Sequence, residues 1–343
     1  MRNYYFEEIR MKRVTMQDVA KLAGVSKSTV SQYLNKRYDY MSEETKRRIE
    51  NAISELGYQP NIVARSLKQK KTSTIGVIVA NILHSFSTKV IRAIEDFCND
   101  NDFHVIVCNA DDDPVKEANY INMLRAKQVD GLIVFPTGGN LELYEMMIEQ
   151  NFPLVFVDRI IDGLSVDTIL LDNEKAAYLA VEHFVNCNHT RIGIITTSLS
   201  RKVTPRIERI EGYKKAMLHF GLPIVDEYIK GVDLDYIQNA LNTMFSLKEP
   251  PTAILAGNDL VLMEILRYAK ENSINIPNDL ALIGVDDVPF APIFTPALTT
   301  IAQPAFEMGE KAAQLLLDKI KNEHKEQARI HRFPPTLIVR ETT

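Results

Sequence analysis

The sequence predicts an N-terminal all-α helix-turn-helix domain joined to an α/β core of two parallel-sheet subdomains. Three observations carry this. Residues 12–58 hold three short, capped helical segments and no strand-like run. Residues 72–343 alternate buried apolar runs with helical stretches, the pattern of repeated βα units. Charge is divided along the chain: residues 1–71 carry 15 Lys+Arg against 8 Asp+Glu, a net of +7, whereas residues 72–343 carry a net of −12 within an overall −5. A basic arm on an acidic body suggests a polyanionic partner for the arm alone.

In the head, Thr15-Met-Gln-Asp18 has the form of a capping box with a short carboxylate in place of the usual Glu. It opens a helix over 16–23 with Val19, Ala20 and Ala23 inward, and Gly24 ends it because a residue without Cβ enters a tight left-handed turn freely. Ser26 caps a second helix over 27–34, and Ser42 a third over 43–56, which Gly57 stops. Two short helices around a Gly turn, with a third in support, make a helix-turn-helix unit. The outer face of the second helix offers Lys27, Ser28, Ser31, Gln32 and Asn35. Small Ser side chains admit a close backbone, Gln pairs with adenine in a bidentate way, and Lys reaches guanine or phosphate. Lys36, Arg37, Lys46, Arg47 and Arg48 are expected nearer phosphates, supplying affinity and salt dependence. A small bundle with a solvated basic face is the bland alternative.

Pro60 and Asn61 then open a short helical stretch in residues 59–71, too short to be stable alone in water, which suits a hinge that forms on docking. Residues 1–11 lack a period or cap and read as an extension or frayed tail, with Met11 placed like a second start.

In the body, strands are expected at 74–80, 104–108, 131–135, 154–158, 167–171, 192–196, near Tyr228, at 252–255 and at 280–284, with two short ones closing the chain. Helices are expected at 87–101, 115–127, 141–150, 174–186, 206–220, 236–247, 260–271 and 306–321. About ten strands imply two sheets with a cleft, and ligands in such folds lie beyond the carboxyl ends of strands. Asp158-Arg159, Gly257-Asn258-Asp259 and Asp286-Asp287 fall at such ends, and Arg209 lies early in a helix. Short carboxylates and an Asn converging with an Arg suit the hydroxyls of a small polar ligand such as a sugar. The same residue types also cap helices and make turns.

Other chemistry is disfavoured. Three widely spaced cysteines fit a reducing, cytoplasmic setting, and no 18-residue apolar stretch suggests a membrane span. No phosphate-cradling Gly loop, nucleophile elbow or nucleophile–base pair assembles, so no catalytic residue and no cofactor is expected. Cys187-Asn-His189 has no second pair, so no metal is expected. Asp111-Asp112-Asp113-Pro114 reads as a solvated acidic turn.

Val14-Thr-Met-Gln-Asp18-Val-Ala20, Ala23-Gly-Val-Ser26, Thr29-Val-Ser31, Leu34-Asn35, Gly57-Tyr58, Pro60-Asn61, Ala64-Arg65 and Leu67 resemble the lactose-repressor (LacI/GalR) family of transcription regulators. The resemblance continues through Ile75-Gly-Val, Val157-Asp-Arg159, Arg209-Ile-Glu-Gly212-Tyr213, Ala256-Gly-Asn258-Asp259, Ile283-Gly-Val-Asp286-Asp287 and Leu298-Thr-Thr300-Ile301. It implies a periplasmic-binding-protein-like core, with an N-subdomain of about 72–171 and 302–326 and a C-subdomain of about 172–301 and 327–343. It implies a cytoplasmic homodimer on palindromic operator DNA, and a dimer rather than a tetramer because no leucine-heptad extension follows Arg340. DNA contacts are expected at Thr15, Ser26, Lys27, Ser28, Thr29, Ser31, Gln32, Asn35, Asn61, Ala64, Arg65 and Leu67, the last as a minor-groove wedge. Effector contacts are expected at Phe86, Asp158, Arg159, Arg209, Asn258 and Asp286. Gln32 stands where many members carry Arg, so the operator base there is open. Asn188-His189 replaces a usual Gly-His; Asn tolerates the left-handed conformation, so no change of fold is expected.

The run from Lys27 to Thr45 also resembles a branch that controls 2-keto-3-deoxygluconate and hexuronate use. The expectation is a regulator, most often a repressor, of a carbohydrate operon, with a sugar or sugar acid as effector. A neutral sugar, a nucleobase or a phosphorylated carrier protein are alternatives within the family. A solute-binding receptor without a DNA role is the alternative of another class, and it leaves the basic head unexplained.

Overall fold

The computed structural model describes residues 14–39, 41–59, 71–322 and 327–343. The expectations for residues 1–11 and for Asn61, Ala64, Arg65 and Leu67 lie outside the described residues. The chain divides into two compact units, up to Thr72 and from Ser73 onward.

In the first unit, α1 (Met16–Ala23), α2 (Lys27–Leu34) and α3 (Glu43–Leu56) begin and end where their caps predict. The Thr15 backbone N–H donates to Asp18 Oδ2 at 2.8 Å, while the Asp18 N–H donates to Thr15 Oγ1 at 3.3 Å, closing the capping box. Ser26 and Ser42 accept from the N–H groups of Thr29 and Thr45. Gly24 takes φ 62° at the end of α1. Val19, Ala20, Ala23, Val30, Ile49, Ala52 and Tyr58 form the core. Arg48, expected nearer phosphates, has bonds within the head. Its guanidinium donates to the Ala23 carbonyl at 2.6 and 2.9 Å and to the Gly24 carbonyl at 2.9 Å, answering the orphan carbonyls at the end of α1. Lys46 is likewise engaged locally, 2.6 Å from Glu43 and 4.7 Å from the Tyr38 ring centroid.

The second unit has two six-stranded sheets. One is built from β1 (Thr74–Val79), β2 (His104–Asn109), β3 (Gly131–Val134), β4 (Leu154–Val157), β5 (Asp167–Leu171) and β11 (Ile330–Phe333), in the order β11-β5-β4-β3-β1-β2. The other comprises β6 (Ile192–Thr196), β7 (Ile229–Gly231), β8 (Ala253–Ala256), β9 (Ala281–Val285), β10 (Thr299–Ala302) and β12 (Thr336–Ile338), in the order β12-β10-β9-β8-β6-β7. Every pairing is parallel except the antiparallel β10–β12. Helices α4 (Ser85–Asp100), α5 (Pro114–Ala126), α6 (Leu141–Glu149) and α11 (Ala305–Lys321) accompany the first sheet. Helices α7 (Asn173–Asn186), α8 (Thr204–His219), α9 (Ile237–Phe245) and α10 (Asp259–Glu271) accompany the second. Alternate strand residues feed opposite cores: Ile75, Val77 and Val79 one side of β1, Ile78 the other. Both faces are covered, as parallel sheets require.

The chain passes between the halves after β5, after β10 and between β11 and β12. The last passage corrects the expected assignment of all of 327–343 to the C-subdomain. Ile330–Phe333 pairs with Thr168–Leu171 on the edge of the first sheet, and only the residues from Thr336 onward add to the second. Parallel pairing is non-local, so no local pattern in this short stretch reveals which sheet it joins. The described residues hold twelve strands rather than about ten; Thr299–Ala302, which sequence patterning does not single out, is one of them. Asn188 adopts φ 66°, the conformation for which Asn substitutes for Gly.

Candidate nucleic-acid interface and ligand cleft

On α2, Lys27, Ser28 and Gln32 are exposed, and Ser31 is half-buried between them and the head core. Their side chains enter no ion pair within the described residues, and they stand on one helical face at i, i+1, i+4 and i+5. The other expected DNA residues among those described have structural work. Thr15 and Ser26 cap α1 and α2, Thr29 Oγ1 lies 2.9 Å from Ser26 Oγ, and Asn35 Nδ2 donates to the Ser31 carbonyl at 2.7 Å. Exposed Arg37 and Arg47 supply further positive charge on this unit.

In the second unit a cleft, whose about 510 Å³ of space is partly open to solvent, lies at the carboxyl ends of the strands, between the two halves. Phe86, Asp158, Arg159, Arg209, Asn258 and Asp286 all line it. Asp158 and Asp286 follow β4 and β9 directly, at φ 68° and 85°. A non-glycine residue in that region is uncommon, and short polar Asp is among the few side chains that tolerate it. Both carboxylates are thereby turned off the strand ends into the cleft.

Arg209 is held on α8 by a close helix contact. A Cβ on Gly212 would stand 2.5 Å from the Glu174 carbonyl oxygen of α7, so only glycine allows the two helices this approach. Arg209 Nε donates to Asn173 Oδ1 at 3.0 Å and its NH1 donates to the Gly257 carbonyl. Asn258 Oδ1 caps α10, accepting from the Val261 N–H at 2.9 Å, as its sequence context also suggests. Gln303 Nε2 donates to Asp286 Oδ1 at 2.6 Å. Burial pushes the Asp286 carboxyl above its ordinary pKa; the negative charge of Asp259 adds to this, while Arg209, Gln303 and His84 oppose it. Arg159 is buried and pairs with Asp112 at 2.9 Å, donating also to the Pro136 carbonyl at 3.1 Å.

Sequence reasoning missed several lining residues: Asn81, His84, Ser87, Arg206 and Gln303. Asn81 and His84 follow β1, so the strand-end rule that finds Asp158 would also find them. Gln303 follows β10, the strand that patterning does not single out, and Arg206 lies one turn before Arg209. His84 Nδ1 lies 2.6 Å from Asp259 Oδ1, and Asp259 Oδ2 accepts from the Ser85 N–H at 2.7 Å, a clasp across the two halves. Lys89 Nζ adds a second, donating to the Asp287 carbonyl at 2.6 Å. Burial opposes the charged form of His84, but its hydrogen bond to Asp259 and that residue's charge outweigh it and raise the pKa. The acidic run before α5 is also more than a solvated turn. Asp111 pairs with Lys116, Asp112 with Arg159, and Asp113 caps α5. No group of three or more metal-ligating side chains occurs among the described residues, and no described helix is long and apolar enough to cross a membrane.

A helix-turn-helix head with a free polar face, and a body closing on a polar cleft, define a DNA-binding transcription regulator with an effector-binding core. Residues 15–61 match the bacterial regulatory proteins of the lacI family, and residues 181–343 match the periplasmic binding protein-like domain. The chain is 52% identical over 332 residues to the "Probable HTH-type transcriptional regulator EndR" of Paenibacillus polymyxa, covering 96% of this chain and 98% of that protein. It is 33% identical over 331 residues to the "HTH-type transcriptional repressor PurR" of Photobacterium profundum, covering 96% and 98%. Among solved structures, the Lac repressor bound to ONPG in the repressed state superposes with a TM-score of 0.82 at 26% identity, over 97% of this chain and 100% of that one. The Lac repressor dimer bound to operator and the anti-inducer ONPF gives 0.82 at 25%, over 96% and 99%. The chain belongs to the lacI family of bacterial regulatory proteins; these relatives are transcription regulators, not enzymes.

Proposed function

We propose that the protein is a cytoplasmic homodimeric repressor of a carbohydrate-catabolic operon, whose hold on a palindromic operator is set by a sugar acid in the cleft. Lys27, Ser28, Ser31 and Gln32 read base edges in the major groove, and the remaining exposed cations of the head contact phosphates. The observation that carries the effector assignment is the cleft itself: three guanidiniums, Arg159, Arg206 and Arg209, line one cavity together with Asp158, Asn258 and Asp286. Cations suit a carboxylate, and the Asp and Asn groups suit sugar hydroxyls. Phe86 and Phe135, 6.3 Å apart in an edge arrangement, offer an apolar wall for a pyranose or open-chain face. The Lac repressor structures, one of them a dimer on operator with an anti-inducer, support the dimer and its ligand control.

A ligand changes operator affinity only through its different affinity for the DNA-competent and incompetent states. The cleft lies between halves joined by three crossings and by the His84–Asp259 clasp, so ligand contacts on both sides bias how the halves close. Titration calorimetry of the full chain with 2-keto-3-deoxygluconate tests the effector class. Saturable heat at one site per protomer is expected; no heat with this or any other sugar acid removes the assignment.

A further inference from the structure

Of the three guanidiniums in the cleft, two are each held by two protein acceptors. Arg159 pairs with Asp112 at 2.9 Å, and Arg209 is bonded to Asn173 and to the Gly257 carbonyl. Arg206 differs. It lines the cavity from the first turn of α8, beside Val203 and Pro205, and donates through NH1 to the Ser198 carbonyl at 2.7 Å. Like Arg209 it enters no ion pair among the described residues, but it has one carbonyl partner where Arg209 has two acceptors. A guanidinium has five N–H donors in a fork suited to a carboxylate, so one bond to a carbonyl leaves most of its capacity open. Burial pulls its pKa down to about 10, and the nearby charge of Arg159 adds to the effect, the signature of a cation withdrawn from water without a full counter-charge.

The charges that act on Arg206 are Arg159, Asp112, Asp158 and Arg201. Those acting on Asp286 are Asp259, Arg209 and His84, and His84 also feels Asp112. Direct bonds separate two ends of the cleft: Arg159 with Asp112 and Arg206 with the Ser198 carbonyl at one, Asp286 with Gln303 at the other. At the second, Asp286 bonds to Gln303, whose Oε1 is buried without a partner among the described residues, so that end combines hydrogen-bonding groups of both polarities.

Resting on the sugar-acid assignment above, we propose that Arg206 is the specificity-determining residue of the cleft, binding the single carboxylate of the effector, while Arg209, Asn258, Asp286 and Gln303 hold its hydroxyls. Asp112 and Asp158 both stand against Arg159, at 2.9 and 3.7 Å, so Arg206 is the lining cation of that end without a paired carboxylate, and a monoanionic sugar acid supplies one. A dianionic sugar phosphate would leave a buried negative charge instead, which is costly. Arg209 then serves the hydroxyl end, and the choice between an acid and its neutral counterpart lies with Arg206.

The experiment is calorimetry on the full chain at fixed ionic strength with 2-keto-3-deoxygluconate, gluconate and galacturonate, with glucose and galactose as neutral counterparts, and with glucose 6-phosphate. The same titrations are run on Arg206→Gln and Arg206→Lys, each checked for folding by its thermal unfolding curve. The wild-type protein is expected to prefer a sugar acid to its neutral counterpart and to the phosphate. Arg206→Gln is expected to lose about tenfold to a hundredfold in affinity for the acid, the range of one hydrogen bond to a charged group. Arg206→Lys, which keeps the charge but not the fork, is expected to lose less. An acid preference that survives intact in Arg206→Gln overturns the role of Arg206 and leaves the sugar-acid effector standing. A wild-type preference for the phosphate overturns the monoanion argument. A wild-type protein that binds none of the acids overturns the effector class itself, and the role of Arg206 with it.

Discussion

Gln32 and His84 show how much a single side chain decides in each unit. Gln32 is exposed on α2 and reaches outward with one donor–acceptor amide, the group that matches adenine in the major groove. Gln32→Ala is expected to cost about 1–3 kcal/mol on the preferred operator and to relax the choice of one base per half-site, with the salt dependence unchanged. Competition binding against operators varied at each position measures this; a uniform loss on all sequences would show a phosphate contact instead. His84 joins the two halves of the body across the cleft. It faces Asp259, Asp286 and Asp112, and its pKa is raised, so the clasp stabilises fully below the unfolded value and is lost as pH rises through the folded one. Asp259 is held below its ordinary pKa by His84 against the effect of burial, so the lower limit of the clasp lies well down in the acid range. Between about pH 6 and about pH 8.5 the body of the wild-type chain is expected to lose more thermal stability than that of His84→Asn. Parallel melting curves would rule out the clasp as the source.

At the scale of elements, the close contact of α7 and α8 sets where Arg206 and Arg209 stand. Gly212→Ala places a methyl against the Glu174 backbone, and overpacking of this kind costs about 1–3 kcal/mol. Because backbone cannot swing aside, the helices are expected to separate, lowering both the unfolding temperature and the affinity for the effector; unchanged values for both would contradict the contact. Elements differ in how well they can be read. The three helices of the head are legible to the residue because their signals are local: Thr15 with Asp18, Ser26, Ser42, Gly24 and Gly57 fix each end within a few residues. Ile330–Phe333 escapes a correct placement because its partner, β5, lies some 160 residues earlier, and nothing in four residues names a sheet. In the cleft, Asp158, Asn258 and Asp286 are legible as short polar residues at strand ends. Arg206 is not, since its importance is the absence of a counter-charge, which only the assembled neighbours reveal. Arg48 has a use that its sequence context does not show: it bonds the carbonyls of Ala23 and Gly24 at the end of α1.

For the whole molecule, the division of charge assigns the two tasks. The head carries the positive surplus and the body the negative one, which disfavours unspecific docking of the body on DNA. Binding of the head is therefore expected to weaken steeply with salt, while sequence choice rests on the α2 face. The proposed function couples these two tasks: one ligand in the cleft sets the affinity of a sequence-specific head. Footprinting of the full chain on genomic fragments at about 0.15 M salt, with and without the sugar acid that binds most tightly, tests it most directly. The expected result is a two-fold symmetric protected segment whose half-maximal protein concentration shifts by about 5–150-fold when the ligand is added. Protection without sequence preference, or a specific site that ignores a ligand known to fill the cleft, would contradict it.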